Sequence, residues 1–221
     1  MNSTMQKTPK STRGRLPREL RLPAVLAAVV VGLLILRAVL AALTPAPGTA
    51  EAPPEDVPDA PEWVERQLLP VNEYSRPGEK LTAVNGVVVH YTGNPGTTAA
   101  QNRSYFANLA VTHETYASSQ FLIDMDGTVI QCVPVNEVAY CSSQRNNDTL
   151  SIEVCHPDET GAFTDASLAA LTDLVQWACD TYDLERDQIL RHYDVTGKVC
   201  PKYYVDYPEA WEDFLDTLDF S

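Results

Sequence analysis

Positive charge is scarce over most of this chain. Of its 16 Lys and Arg, seven fall in the first 43 residues, which hold only one of its 30 Asp and Glu. The rest of the chain sets nine basic against 29 acidic side chains, a formal charge of −20. Such a surface repels phosphate backbones and anionic lipid, which excludes nucleic acid as a partner. Histidine is scarcer still, four in 221 residues, so an imidazole-based site has few sources. No internal repeat occurs, which removes the stacked-repeat architectures.

Two segments lack what a globular core requires. Residues 22–43, "LPAVLAAVVVGLLILRAVLAAL", carry one charge, Arg37, and show no polar face. That run is about as long as a bilayer-crossing helix needs to be. The tail before it, residues 1–21, is basic, with Lys7, Lys10, Arg13, Arg15, Arg18 and Arg21 against Glu19. By the positive-inside rule this expects a signal anchor in the cell membrane, its N-terminus cytoplasmic and the remainder extracytoplasmic. The alternative is a secreted protein whose signal peptide is cleaved near Gly48-Thr49-Ala50. Residues 44–80 begin "TPAPGTAEAPPEDVPDAPEW", Pro-rich and acidic, and read as a stiff spacer. Residues 81–221 then suffice for one compact domain.

Within that domain, "VVVHYTG" (Val87 to Gly93) reads as a strand covered on both faces, with His90 and Tyr91 at its end. Thr97 and Thr98 are N-cap candidates for a helix through Phe106 and Leu109. Asp126-Gly127 joins two strand-like runs as a hairpin, and "TLSIEVCH" is a further strand with Glu153 among apolar neighbours. From Thr164, residues Leu168, Leu171, Leu174, Val175, Ala178 and Tyr182 recur at helical spacing. A last helix starts at Pro208 and buries Trp211, Phe214, Leu215 and Leu218. Interleaved strands and helices give an α/β or α+β sheet domain.

Chemistry gathers in "RHYDVTGKVCPKYY", Arg191 to Tyr204. His192 and Cys200, with His90, form a possible three-ligand zinc set with one position left open. Cys200 is equally readable as half of a cystine. Five cysteines in an exported domain leave at least one unpaired in a monomer. If Cys200 holds metal, Cys132, Cys141, Cys155 and Cys179 either form up to two bridges or stay as buried thiols.

Four blocks in order, "VVVHYTGNPGT", "ASSQFLIDMDGTVIQCVPVNEVAY", "NNDTLSIEVCHPDETGAF" and "RHYDVTGKVCPKYY", resemble the zinc-dependent N-acetylmuramoyl-L-alanine amidases. That family includes the phage amidase-lysozymes and shares its fold with peptidoglycan recognition proteins. The resemblance runs from about Val84 to Phe214. It implies a mixed central β-sheet flanked by helices, and the apolar run 22–43 is expected to precede it as one transmembrane helix. It also implies Zn2+ as cofactor and peptidoglycan as substrate, cut between N-acetylmuramic acid and L-alanine. Given the acidic surface, contact with an anionic wall then depends on specific interactions.

Residue by residue, the resemblance implies metal ligation by His90, His192 and Cys200, a general base at Glu153, and catalytic assistance from Lys198. Two neutral imidazoles and a thiolate leave zinc at about +1, still able to polarise an amide carbonyl. Tyr91 and Asn147 are candidates for the substrate groove, with a packed aromatic and a turn asparagine as the plain readings. Many relatives carry histidine where this chain has Gln120, and histidine or alanine near Cys141, so a pocket of altered polarity is expected. Two rival classes remain at this stage. A non-catalytic wall-binding module of the same fold would typically have lost the ligand cysteine. A Cys/His thiol peptidase would have no use for Glu153 or Lys198.

Overall fold

The computed structural model describes residues 59–220. The basic tail, the apolar run 22–43 and the first part of the spacer lie outside the described residues. Among the described residues no helix is long and apolar enough to cross a membrane.

Among the described residues six strands make one mixed sheet: β1 (Glu65–Arg66), β2 (Val87–Tyr91), β3 (Phe121–Ile123), β4 (Val129–Gln131), β5 (Leu150–Val154) and β6 (Ile189–Arg191). Their spatial order is β1-β4-β3-β5-β2-β6. Only the β3–β4 hairpin is antiparallel; β3–β5, β5–β2, β2–β6 and β1–β4 are parallel. Central strands buried on both sides account for the unbroken valines of β2, where Val87, Val88 and Val89 have no exposed area. At the hairpin tip Gly127 has φ +88°, and a Cβ there would meet the Ala166 carbonyl oxygen at 3.0 Å, so no other residue fits without strain.

The helices α1 (Ala99–Thr112), α2 (Asp165–Tyr182), α3 (His192–Thr196), α4 (Lys202–Asp206) and α5 (Pro208–Leu215) complete the fold. Thr98 caps α1 in a capping box with Gln101, and Thr164 caps α2 through the Ser167 N–H. Strand alternation sorts the core into two layers. On one face Phe121, Ile123, Val87 and Val89 pack with Leu171 and Leu174 of α2 and with Trp211 and Phe214 of α5. On the other, Leu122 and Ile130 pack with Ala99 and Phe106 of α1.

Two expectations change and one open alternative closes. Leu168 is 37% exposed and lies off the buried stripe of α2. The structured region starts well before Leu81: β1 pairs with β4, and Leu69 is fully buried. Arg76 donates to Glu137 at 2.7 and 3.0 Å, and Lys80 lies 3.6 Å from the same carboxylate. The reading of 44–80 as a spacer missed this because composition alone does not register a two-residue strand or a distant ion-pair partner. Finally, all five cysteines are free thiols. Burial raises Cys132 and Cys155 to about 12 and Cys179 to about 11, so all three stay protonated and inert at neutral pH.

Candidate active site and metal centre

Backbone geometry delivers the site residues from three places. His90 of β2 and Glu153 of β5 are register partners on adjacent parallel strands, so both side chains leave the sheet on the α1 side. β6 runs parallel to β2 and ends where α3 begins, at His192. α3 stops after five residues at Gly197, which takes a left-handed conformation, φ +78°, and donates its N–H to the Tyr193 carbonyl at 2.7 Å. The chain then doubles back so that the Tyr193 N–H reaches the Cys200 carbonyl at 2.9 Å. His192 and Cys200, eight positions apart, are thereby brought side by side.

His90, His192 and Cys200 are all buried, and their ligand-type atoms lie within 4.8 Å of one another. Cys200 Sγ is 3.8 Å from His90 Nδ1, and the two imidazole rings meet edge-on with centroids 4.7 Å apart. A tetrahedral zinc with Zn–S of about 2.3 Å and Zn–N of about 2.05 Å spans roughly 3.6 Å between those atoms. The observed spacing fits with a small inward adjustment. His192 Nδ1 is buried without a hydrogen-bond partner, a costly state that a cation would relieve. On its far side His90 places Nε2 3.1 Å from the fully buried Ser142 Oγ, which orients the ring and leaves Nδ1 facing Cys200. The donor set therefore fits zinc.

Electrostatics prepares the same donors. Desolvation, reinforced by His192 and Lys198, holds His90 well below its usual range. Desolvation and then Lys198 lower His192. Both rings are neutral at pH 7, as metal ligation requires. Burial, together with the nearby Glu153 carboxylate, pushes the Cys200 thiol up to about 12, so it is no free nucleophile and gives up its proton only to a metal. The thiol-peptidase reading is thereby disfavoured.

Glu153 accepts a hydrogen bond from Cys141 Sγ at 3.4 Å through Oε1, while Oε2 is buried with no partner. Desolvation raises its carboxyl to about 7, against the opposing pull of the Cys141 thiol and the Lys198 charge. It borders a cavity of about 430 Å³ that Thr92, Asn94, Gln101 and Tyr105 also line. Lys198 is exposed two residues before Cys200, and its charge is felt by His90, His192, Glu153, Cys141 and Cys200 alike. A second cavity of about 450 Å³, between β6 and α5, is lined by Arg186, Arg191, Asp194 and Trp211 and contains none of these residues.

The two groove candidates fall differently. Tyr91 packs its ring against buried His156 at 5.0 Å, next to Gly161, and alternation turns it to the sheet face opposite His90. Asn147 is exposed, and its carbonyl accepts from the Thr82 N–H and hydroxyl at 2.8 and 2.9 Å, a tether between loops. Its neighbour Asn146 is the one tied to the site: Oδ1 accepts from the Cys141 and Ser142 N–H groups at 3.1 and 2.6 Å. Gln120 is fully buried, bound to Ser151 N–H, Ser151 Oγ and the Glu137 carbonyl, and so changes interior polarity, not that of the cavity. Sequence reasoning flagged Cys141 as a departure and as a possible cystine partner, gave it no place in the site, and passed over Ser142. Both sit in an aperiodic loop whose one signal is proximity to Asn146.

Comparison with known proteins gives the family and the fold. Residues 80–203 match the family model described as N-acetylmuramoyl-L-alanine amidase. A probable N-acetylmuramoyl-L-alanine amidase of Bacillus licheniformis is 36% identical over 150 residues, 62% of this chain and 42% of that protein. The N-acetylmuramoyl-L-alanine amidase CwlL of the same species is 33% identical over 168 residues, 71% of this chain and 46% of that one. The chain thus spans less than half the length of these curated relatives. Among solved structures, a mutant endolysin from Bacillus subtilis superposes with a TM-score of 0.60 at 22% identity, covering 71% of this chain and 98% of its own. The catalytic domain of XlyA does so at 0.59 and 24%, covering 71% and 99%. At that identity the structures support the fold, while the match over more than half of the sequence is decisive for kinship. This chain belongs to the N-acetylmuramoyl-L-alanine amidase family.

Proposed function

We propose that this protein hydrolyses the amide bond between N-acetylmuramic acid and the L-alanine of the peptidoglycan stem peptide, with one zinc ion held by His90, His192 and Cys200. The observation that carries the reading is the pairing of a buried His/His/Cys donor set with Glu153, whose Oε2 has no partner. Bound there, zinc supplies a Lewis acid that polarises the amide carbonyl and acidifies water. Glu153, with a carboxyl near 7, is matched to take a proton from the attacking water and return it to the leaving amine nitrogen. The Lys198 ammonium stabilises negative charge developing on the carbonyl oxygen. Ser142 holds His90 in one orientation, and Asn146 holds Ser142. The cavity beside Glu153, with Asn94 and Gln101 on its wall, supplies amide groups for hydrogen bonding a peptide.

The apolar run 22–43 and the basic residues before it support a single-pass anchor that keeps the catalytic domain on the outer side of the cell membrane, next to the wall. Cell fractionation separates this from secretion: a membrane-retained full-length species supports the anchor, and a soluble species starting near Glu51 overturns it. The enzymatic reading is tested by incubating the zinc-loaded protein with purified peptidoglycan and labelling new amino termini. Appearance of N-terminal alanine is expected, and its absence at one equivalent of bound zinc contradicts the proposal.

A further inference from the structure

Glu153 and Cys141 belong to a second donor set. The ligand-type atoms of His90, Cys141 and Glu153 also lie within 4.8 Å of one another. Resting on the amidase reading above, we propose that Cys141 and Glu153, joined by His90 when the first set is empty, form a second metal position that overlaps the first, takes a borderline-soft divalent cation such as zinc, and shuts off hydrolysis when filled. Three observations carry it. The Cys141 Sγ to Glu153 Oε1 distance is 3.4 Å, against the roughly 3.5 Å edge of a tetrahedron built on Zn–S of about 2.3 Å and Zn–O of about 2.0 Å. Glu153 Oε2 is buried without a partner, so half of this carboxylate is unsatisfied by the protein itself. The donor types, thiolate, carboxylate and imidazole, are those zinc prefers, and the two anionic donors neutralise its charge.

On binding, the Cys141 S–H bond breaks, its proton leaves to solvent, and the sulfur lone pair forms the bond to the cation. With the first set loaded, His90 is already engaged, so the second ion has Cys141, Glu153 and water, and it binds more weakly. With the first set broken, His90 is free to join Cys141 and Glu153. Either way Glu153 loses its role as proton acceptor. Metal beyond one equivalent therefore inhibits, and metal content alone overstates activity.

The test uses the full-length protein with cobalt(II) as a spectroscopic probe and zinc as inhibitor. In the wild type the first equivalent of cobalt should give a thiolate-to-metal absorption band from Cys200, and excess cobalt a second increment. Cys141→Ser should abolish the second increment. In Cys200→Ser a thiolate band should survive, carried by Cys141, and vanish in the double variant. Excess zinc at ten times its dissociation constant should cut wild-type hydrolysis about tenfold, and Cys141→Ser should blunt that response. Equal cobalt increments and equal zinc responses in wild type and Cys141→Ser overturn the second position. So does the absence of any thiolate band in Cys200→Ser. If hydrolysis is absent at one equivalent of zinc, the amidase reading fails, while the cobalt spectra still report on Cys141.

Discussion

His90 and Glu153 stand side by side in register on β2 and β5, so the hydrogen bonds of the sheet itself fix the spacing between the proposed metal donor and the proposed proton acceptor. Such a site is pre-organised by the most rigid element of the fold. The other proposed donors, His192 and Cys200, depend on a five-residue helix and a glycine turn, and are set by the edge strand β6.

Glu153→Gln keeps the shape of the side chain and removes the proton acceptor. The variant should bind zinc as the wild type does and lose about 10²- to 10⁴-fold in turnover, the usual share of a positioned acid-base group. Zinc content and rate are measured on the same preparation. A near-wild-type rate with zinc retained places the proton transfers elsewhere, and lost zinc makes Glu153 a support for the metal set.

Ser142→Ala removes the partner of His90 Nε2 without touching any ligand atom. Loss of such an orienting contact costs about 10–100-fold in metal affinity. Competition with a chromophoric chelator reads this directly. An unchanged affinity shows that the ring is held by packing alone.

Zinc uptake should release one proton, from Cys200. Its thiol, pushed up to about 12, is protonated through the neutral range, whereas both imidazoles have lowered values and are already neutral. Between about pH 7.5 and 9.5, where Glu153 at about 7 is already ionised, apparent affinity should therefore rise about tenfold per pH unit. Chelator competition across that window, with calorimetry in buffers of different ionisation enthalpy, gives the proton count. A pH-independent affinity means that the thiol is ionised before metal arrives.

A chain beginning at Leu81 lacks Leu69 and both cations that face Glu137, Arg76 and Lys80, and strands that carboxylate. Removing one partner of a largely buried ion pair costs about 3–5 kcal/mol, and the lost Leu69 burial adds to it. Compared with a chain beginning at Asp59, it should unfold at markedly lower urea concentration. Equal midpoints show that residues 59–80 contribute nothing to stability.

The parts of this molecule that sequence disclosed are those with a strong local signal. β2 announced itself by an unbroken valine run, β5 by its apolar alternation around Glu153, α2 by its helical period, and α1 and α5 by Thr98 and Pro208 at their starts. β1 and β6, two and three residues long, have no period to detect and exist because a neighbouring strand offers them hydrogen bonds. That His90, His192 and Cys200 come together was readable because four motif blocks occur in order, not because of their spacing. Tyr91 and Asn147 illustrate the limit. Both flank site residues in sequence, yet alternation turns one to the opposite sheet face and the other's carbonyl tethers Thr82. Ser142 and Asn146 act through tertiary contacts, which no local pattern encodes.

The most direct test of the central claim is the mass spectrum of purified peptidoglycan after digestion by the zinc-loaded, full-length protein. Cleavage of the lactyl amide predicts stem peptides that begin with free L-alanine, together with glycan carrying unsubstituted muramic acid carboxyl groups. The same digest after chelation should contain neither. Products cut within the stem peptide or within the glycan, or an unchanged digest from protein that holds one zinc, would contradict the account.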